Sequence, residues 1–414
     1  MTPVLALAEE AAAPTLNTGD TAWMLISSAL VLLMLPGLAL FYGGMVRAKN
    51  VLSTMMHSFV VMGLVAVQWM VIGYTIGFGD DKSGLFGGLN KLMLSGISID
   101  SLSGTIPEYI FAMFQAMFAI ITIALISGAV AERIKFSAYC IFALVWTTLV
   151  YDPIAHWVWG GGWLSKLTPA AIDFAGGTVV HLSSGISALA LILFLGKRHG
   201  YPTERMAPHS LPLTLLGAGL LWFGWYGFNA GSALAANGTA ALAFTTTTVA
   251  PAAAGLAWMV AEWIHAGKPS ALGFASGVVA GLVAITPAAG FVTPGWALVI
   301  GVGAGIICYL AVLMKAKLKY DDSLDAFGIH GVGGAFGAIA TGAFATVGAT
   351  GLISGNTAQF VSQIIAVSAS AVYAFVVTCI IAFIIDKTIG LRVDKEDEII
   401  GLDQTQHSES GYNL

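Results

Sequence analysis

Two histidines stand inside long, uncharged apolar segments: His181 in GGTVVHLSSG and His330 in DAFGIHGVGG. An ionisable side chain at membrane depth is expensive, and as a rule it faces a water path, a substrate path or a partner. Two such rings point to one shared polar point in a hydrophobic pathway; the plainer alternative is that a neighbouring backbone carbonyl satisfies each separately. Aromatic residues form a second constellation. Phe114 and Phe118 lie one helical turn apart, Trp159 precedes Gly160-Gly161-Gly162, and Trp225, Tyr226 and Phe228 close an apolar run followed by Asn229 and Ser232. Ring faces attract a small cation within about 6 Å, by up to about 2 kcal/mol once it is partly desolvated. The bland reading is an interfacial belt of Trp with Phe packed behind it. Two acids flank the histidine segments: Asp173, a helix N-cap or electrostatic support for a cation, and Asp325, at the opposite mouth.

The elements that position these residues follow from composition. Hydrophobic residues make up 57% of the 414 and charged residues only 9%, against about 25% charge in a soluble domain. The chain is expected to be an all-α polytopic membrane protein, multi-pass in the lipid bilayer. The 50 glycines fit close helix contact in lipid. No basic patch points to nucleic acid, no nucleophile–base pair or phosphate loop points to an enzyme, and no residue cluster points to a metal or cofactor. Cys140, Cys308 and Cys379 are isolated in apolar runs and read as packing residues. Apolar runs of bilayer length predict eleven transmembrane helices, near 22–44, 52–78, 108–131, 136–158, 177–196, 211–231, 239–265, 270–289, 294–314, 326–347 and 361–387. With the N-terminus outside, fourteen of the seventeen Lys and Arg fall on the inner side, leaving Lys82, Lys91 and Lys166 outside. That asymmetry supports an N-out, C-in arrangement, with residues 1–21 an extracytoplasmic lead and 391–414 a cytoplasmic tail.

His181 and His330 occupy the fifth and tenth spans, each as H-x-x-x-G. Five spans per half place the second half upside down, the pattern of an inverted repeat with its site near the midplane. The halves cover about 22–200 and 207–350 within a domain of 22–390, and the eleventh helix, about 361–389, stands outside the repeat. Straight helices starting at Asp173 and Asp325 put His181 about 12 Å from one face and His330 about 8 Å from the other. In a core of about 30 Å the rings then miss each other by about 10 Å. Contact requires tilted helices or a vestibule.

The chain resembles the Amt branch of the Amt/Mep/Rh ammonium transporters along nearly its whole length. The motifs are LPGLALFYGGMVRAKNVLS, AERIKFSA, PIAHWVWGGG, DFAGGTVVH, GWYGFNAGSA, GLVAITPAAGF, DAFGIHGVGG and the GLD…H.E..Y tail. The resemblance implies eleven helices, an inverted five-helix repeat and a homotrimer with one pore per subunit in the bacterial cytoplasmic (inner) membrane. It assigns Trp159, Phe118 and Ser232 to an outer recruitment site for ammonium, and Phe118 with Phe228 to the gate beneath. Phe114 and Trp225 line the path nearby. It makes His181 and His330 the twin histidines at the pore centre and Asp173 a structural support of the outer site. It also implies a soluble partner, a trimeric PII-family signal protein, on a cytoplasmic surface that includes Asp325 and Gly401–Tyr412.

This implied chemistry explains a selectivity that a bare cation site lacks. Ammonium can surrender a proton and potassium cannot, while a narrow apolar pore makes any intact ion costly. Neutral ammonia can cross against the imidazoles, the proton taking a separate route, and methylammonium is an expected second substrate. Two other readings stay open: an ammonium sensor signalling through its tail, and a passive gas channel of the Rh kind, against which Trp159 counts.

Overall fold

The computed structural model describes residues 15–412. Backbone groups in lipid must be satisfied internally, so the apolar runs become helices. Ten are long and apolar enough to cross a membrane: α1 (Thr18–Met45), α2 (Ala48–Phe78), α3 (Glu108–Val130), α4 (Phe136–Val158), α5 (Gly177–Leu195), α6 (Leu211–Gly231), α7 (Gly238–Ala266), α9 (Pro294–Leu318), α10 (Phe327–Phe344) and α11 (Thr357–Thr388). Between α7 and α9 lies the shorter apolar helix α8 (Ala271–Ile285). The protein is a multi-pass membrane protein. Its α8 ends at Ile285, before the expected residue 289: Thr286 is still helical, but Pro287 has no N–H with which to extend the hydrogen-bond ladder. Of the expected lead, residues 1–14 lie outside the described residues, and α1 already begins at Thr18, where Asn17 caps it by accepting from the Gly19 and Asp20 N–H groups.

Glycine permits close helix contact. A side chain at Gly217 of α6 would have its first carbon 2.3 Å from the backbone nitrogen of Phe41, so α1 and α6 touch backbone to backbone. The α2–α3 connection carries two small antiparallel hairpins, β1 (Asp81–Lys82) with β2 (Phe86–Gly87), and β3 (Leu102–Ser103) with β4 (Ile106–Pro107). They lie at the end of the bundle where α4 finishes, the Trp159 end.

The other end carries the chain's C-terminal segment, folded as α12 (Lys395–Ile400) and α13 (Leu402–His407). A buried ionic network ties the helix connections together there. Glu132 accepts from Arg47 Nε at 3.1 Å, Asn50 Nδ2 at 3.0 Å and Arg198 Nη1 at 2.9 Å, and Arg198 also grips Asp321 at 2.8 Å. Burial alone would raise the Glu132 carboxyl, but the charges of Arg198 and Arg47 overcome it and hold it down at about 2.

Candidate functional site

Both histidine helices begin inside the protein, not at its faces. Asp173, only 8% exposed, accepts from the N–H groups of Gly176, Gly177, Thr178 and Val179 at 2.6–2.9 Å, so it occupies the orphan donors of the first turn of α5. Asp322, 1% exposed, does the same for α10 through Ala326 N–H at 3.1 Å and Phe327 N–H at 2.8 Å. Each cap precedes its histidine by the same interval, Asp173 to His181 and Asp322 to His330. The cap of the second histidine helix is therefore Asp322, three residues before the Asp325 from which the sequence places its start. The first turns are π-helical, Gly177–Leu182 and Phe327–Gly331, which widens them around the histidines.

These buried starts close the 10 Å gap that straight, face-to-face helices predict. His181 Nδ1 and His330 Nδ1 are 3.3 Å apart, with the rings stacked at 5.3 Å and 18°. The glycine four residues after each histidine makes the crossing. A first side-chain carbon on Gly185 would stand 2.0 Å from Gly331 N, and one on Gly334 would stand 2.7 Å from Leu182 N and 3.0 Å from the Cβ of His181. Only glycine lets the two turns meet. A hydrogen shared between the two Nδ1 atoms makes one ring its donor and the other its acceptor. With neutral rings, the pair then turns one bare Nε2 and one Nε2–H outwards; His181 Nε2 has no hydrogen-bond partner among the described residues.

Aromatic rings lead from this pair to the Trp159 end. His181 stacks on Trp225 at 5.3 Å and 19°, and Phe228 lies 6.1 Å from it. Phe228 stacks face to face with Phe118 at 4.1 Å and 16°, and Phe118 meets Trp159 edge-on at 6.0 Å and Phe114 at 4.8 Å. The Phe118–Phe228 stack separates two spaces. Towards the Trp159 end lies a cavity of about 460 Å³ lined by Phe78, Phe114, Gln115, Phe118, Trp159 and Ser232, among others. Around the histidines only about 10 Å³ remains, lined by Leu38, Ile121, Leu125, Phe228 and Val279, roughly room for one water-sized particle.

The remaining expected site residues sort by geometry. Trp159 donates from Nε1 to the Asp173 carbonyl at 2.8 Å. The Asp173 carboxylate is committed to the α5 turn, so Asp173 meets the cavity wall through its backbone. Ser232 donates to Phe228 O at 2.8 Å, which leaves its oxygen free to accept. Asp325 is far from the ring column in role: it is paired with Lys315 and takes a left-handed backbone. Gln115 was not singled out from sequence. Its amide oxygen is buried without a partner among the described residues, and the residue lines the cavity; a lone Gln next to Phe114 in an apolar helix was the available signal.

The sequence from residue 22 to 412 matches the model of the Ammonium Transporter Family. The chain belongs to that family. It is 50% identical over 400 residues to the ammonium transporter Amt1 of Archaeoglobus fulgidus, covering 96% of this chain and all of that protein. Its fold matches the crystal structure of Candida albicans Mep2 with a TM-score of 0.87 at 36% identity, covering 92% of this chain and 88% of that one. A sensor Amt protein matches with a TM-score of 0.89 at 29% identity, covering 94% and 98%.

Within this ammonium transporter family chain, the tail is docked and not simply solvated. Asp403 accepts from the N–H groups of Leu52 at 3.1 Å and Ser53 at 2.8 Å, the first turn of α2 after its opening 3₁₀ turn, and Leu402 N–H donates to Asn50 Oδ1 at 2.8 Å. Asn50 in turn reaches Glu132. In the segment Gly401–Tyr412, residues Gly401, Leu402 and Asp403 are therefore buried, and Ser408, Glu409, Ser410 and Tyr412 are exposed.

Proposed function

We propose that this chain is an ammonium transporter that recruits the cation at the Trp159 cavity, removes its proton and passes ammonia across the His181–His330 pair. The observation that carries the reading is the continuous column from an aromatic, uncharged cavity, past the Phe118–Phe228 stack, to two imidazoles joined at Nδ1. Trp159, Phe118 and Ser232 hold the ion, by ring faces and one hydroxyl oxygen, with Phe114 beside them. A site with no fixed anion binds weakly and releases readily. Phe118 and Phe228, with Trp225 behind them, form the gate. Asp173 supports the outer site by fixing the start of α5 and the Trp159 N–H together. Below the gate the space admits one small neutral molecule, and an intact ion there loses its hydration. The outward Nε2 atoms offer that molecule one donor and one acceptor.

Eleven spans with the N-terminus out and C-terminus in accord with this direction of travel, and the matched intervals from cap to histidine to glycine support the inverted repeat. The setting we infer is the bacterial cytoplasmic membrane, as a homotrimer with methylammonium as a second substrate. The exposed end of the tail and the Asp325 mouth are the proposed contact for a PII-family protein, and a variant lacking residues 391–414 tests the tail's share in holding it. Trp159→Leu removes the largest ring face of the recruitment site. It is expected to raise the ammonium concentration for half-maximal charge movement about tenfold, measured on a solid-supported membrane; an unchanged half-maximal concentration removes Trp159 from recruitment.

A further inference from the structure

His156 is fully buried at the end of α4 and does not line the cavity, yet it makes four contacts that converge on the cavity walls. Its ring lies 3.0 Å through Nδ1 from the carbonyl of Gly77, beside the cavity-lining Phe78 at the end of α2, and 3.0 Å through Nε2 from the Asp81 carboxylate on β1. Its own carbonyl accepts from Gly160 N–H at 3.1 Å and Gly162 N–H at 2.9 Å, the turn that carries Trp159. Gly160 is pressed so closely that a first side-chain carbon would stand 1.9 Å from the Gly77 carbonyl and 2.6 Å from His156 Nδ1. Both ring partners are acceptors, so the bridge is complete when both nitrogens carry hydrogen. The Asp81 carboxylate then faces a cationic ring, with Lys166 Nζ on its other oxygen at 2.5 Å. The hydrogen bonds from His156 and Lys166 hold the Asp81 carboxyl below the usual carboxylate range.

We infer that His156, with Asp81 as its counter-charge, is a positioning residue for the cation cavity: it clamps the α2 end and the Trp159 turn at one spacing and so sets how well the cavity holds ammonium. Two other bonds attach the hairpin, Trp157 Nε1 to Leu85 O at 2.8 Å and Trp163 N–H to Gly84 O at 3.0 Å. Neither touches Gly77, so neither fixes the spacing of the two walls. The inference rests on the reading of Trp159 as a recruitment residue.

The test is ammonium-evoked charge movement in proteoliposomes for His156→Phe, Asp81→Asn and Trp157→Phe, with Trp159→Leu measured alongside. His156→Phe keeps a ring and loses both bonds, and its half-maximal ammonium concentration is expected to rise about tenfold with the saturating current within about twofold of the parent. Asp81→Asn keeps an acceptor without the charge and is expected to give a rise of about threefold. Trp157→Phe is expected to change neither quantity beyond about twofold. Asp81 is partly exposed, so its variant decides the matter should His156→Phe fail to fold. A shift in Trp159→Leu with none in Asp81→Asn or His156→Phe overturns the clamp and leaves the recruitment site standing. A parallel fall in saturating current without a shift also overturns it, as a general structural loss. No shift in Trp159→Leu overturns both.

Discussion

Replacing His181 by alanine is expected to abolish selective ammonium transport. The ring is held between Trp225 and His330, each at 5.3 Å, and it is half of the only joined imidazole pair among the described residues. Without it His330 loses its Nδ1 partner, and the space of about 10 Å³ opens by the volume of an imidazole. Water can then follow the ion, so the step in which ammonium must give up its proton is no longer enforced. Positioned proton-transfer groups contribute about a hundredfold or more, and the ammonium-specific component of the current should fall by at least about that factor. Current evoked by potassium jumps in the same vesicles measures the loss of preference. A selective, saturable current of parental size in His181→Ala contradicts the role given to the pair.

The second large effect is expected far from the pore, at Glu132. This carboxylate is 1% exposed and serves Arg47, Asn50 and Arg198 at once. Removing one member of a buried pair leaves its partners charged and desolvated, which costs about 3–5 kcal/mol. Glu132→Ala should lose stability of that order in detergent, read by chemical or thermal unfolding. The acid limb of the stability profile provides an independent check. The folded carboxyl sits at about 2, below the unfolded value of about 4.3. A depressed carboxyl contributes its full stability above the unfolded value and loses it as pH falls through that value towards the folded one. The parent should therefore lose this contribution between about pH 4.3 and about pH 2, and Glu132→Ala should lack that component. Because Asn50 links Glu132 to Leu402, the same variant should loosen the tail, visible as faster proteolysis after residue 390. Unchanged stability would show the network to be compensated by water.

Most of the helices could be read from sequence because bilayer length is a strong constraint. The expected spans 108–131, 136–158 and 211–231 agree with Glu108–Val130, Phe136–Val158 and Leu211–Gly231 to a residue. His181 and His330 stood out for the same reason, as lone ionisable groups in apolar runs. What could not be read was depth. Counting residues from Asp173 and Asp325 assumed that helices start at a face, whereas the fifth and tenth helices start at caps buried in the protein. The interval from Asp322 to His330, equal to that from Asp173 to His181, was present in the sequence and would have corrected the starting point. The glycine after each histidine was visible as a spacing, but its function is to let one backbone lie on another, a property of the crossing and not of either segment. Gln115 was hidden by its aromatic neighbours. The docking of Asp403 on α2 lay beyond pattern reading too, since a polar tail without apolar period looks solvated until its partners are known.

The measurement that bears most directly on deprotonation as the source of selectivity is charge movement and internal pH recorded together in proteoliposomes after an ammonium jump, with a potassium jump as control. The expected result is a saturable current for ammonium, none for potassium, and an internal pH change showing ammonia arriving. No ammonium current beside a clear internal pH change would show a neutral gas channel, and equal currents for ammonium and potassium would show an unselective cation path; either result contradicts it.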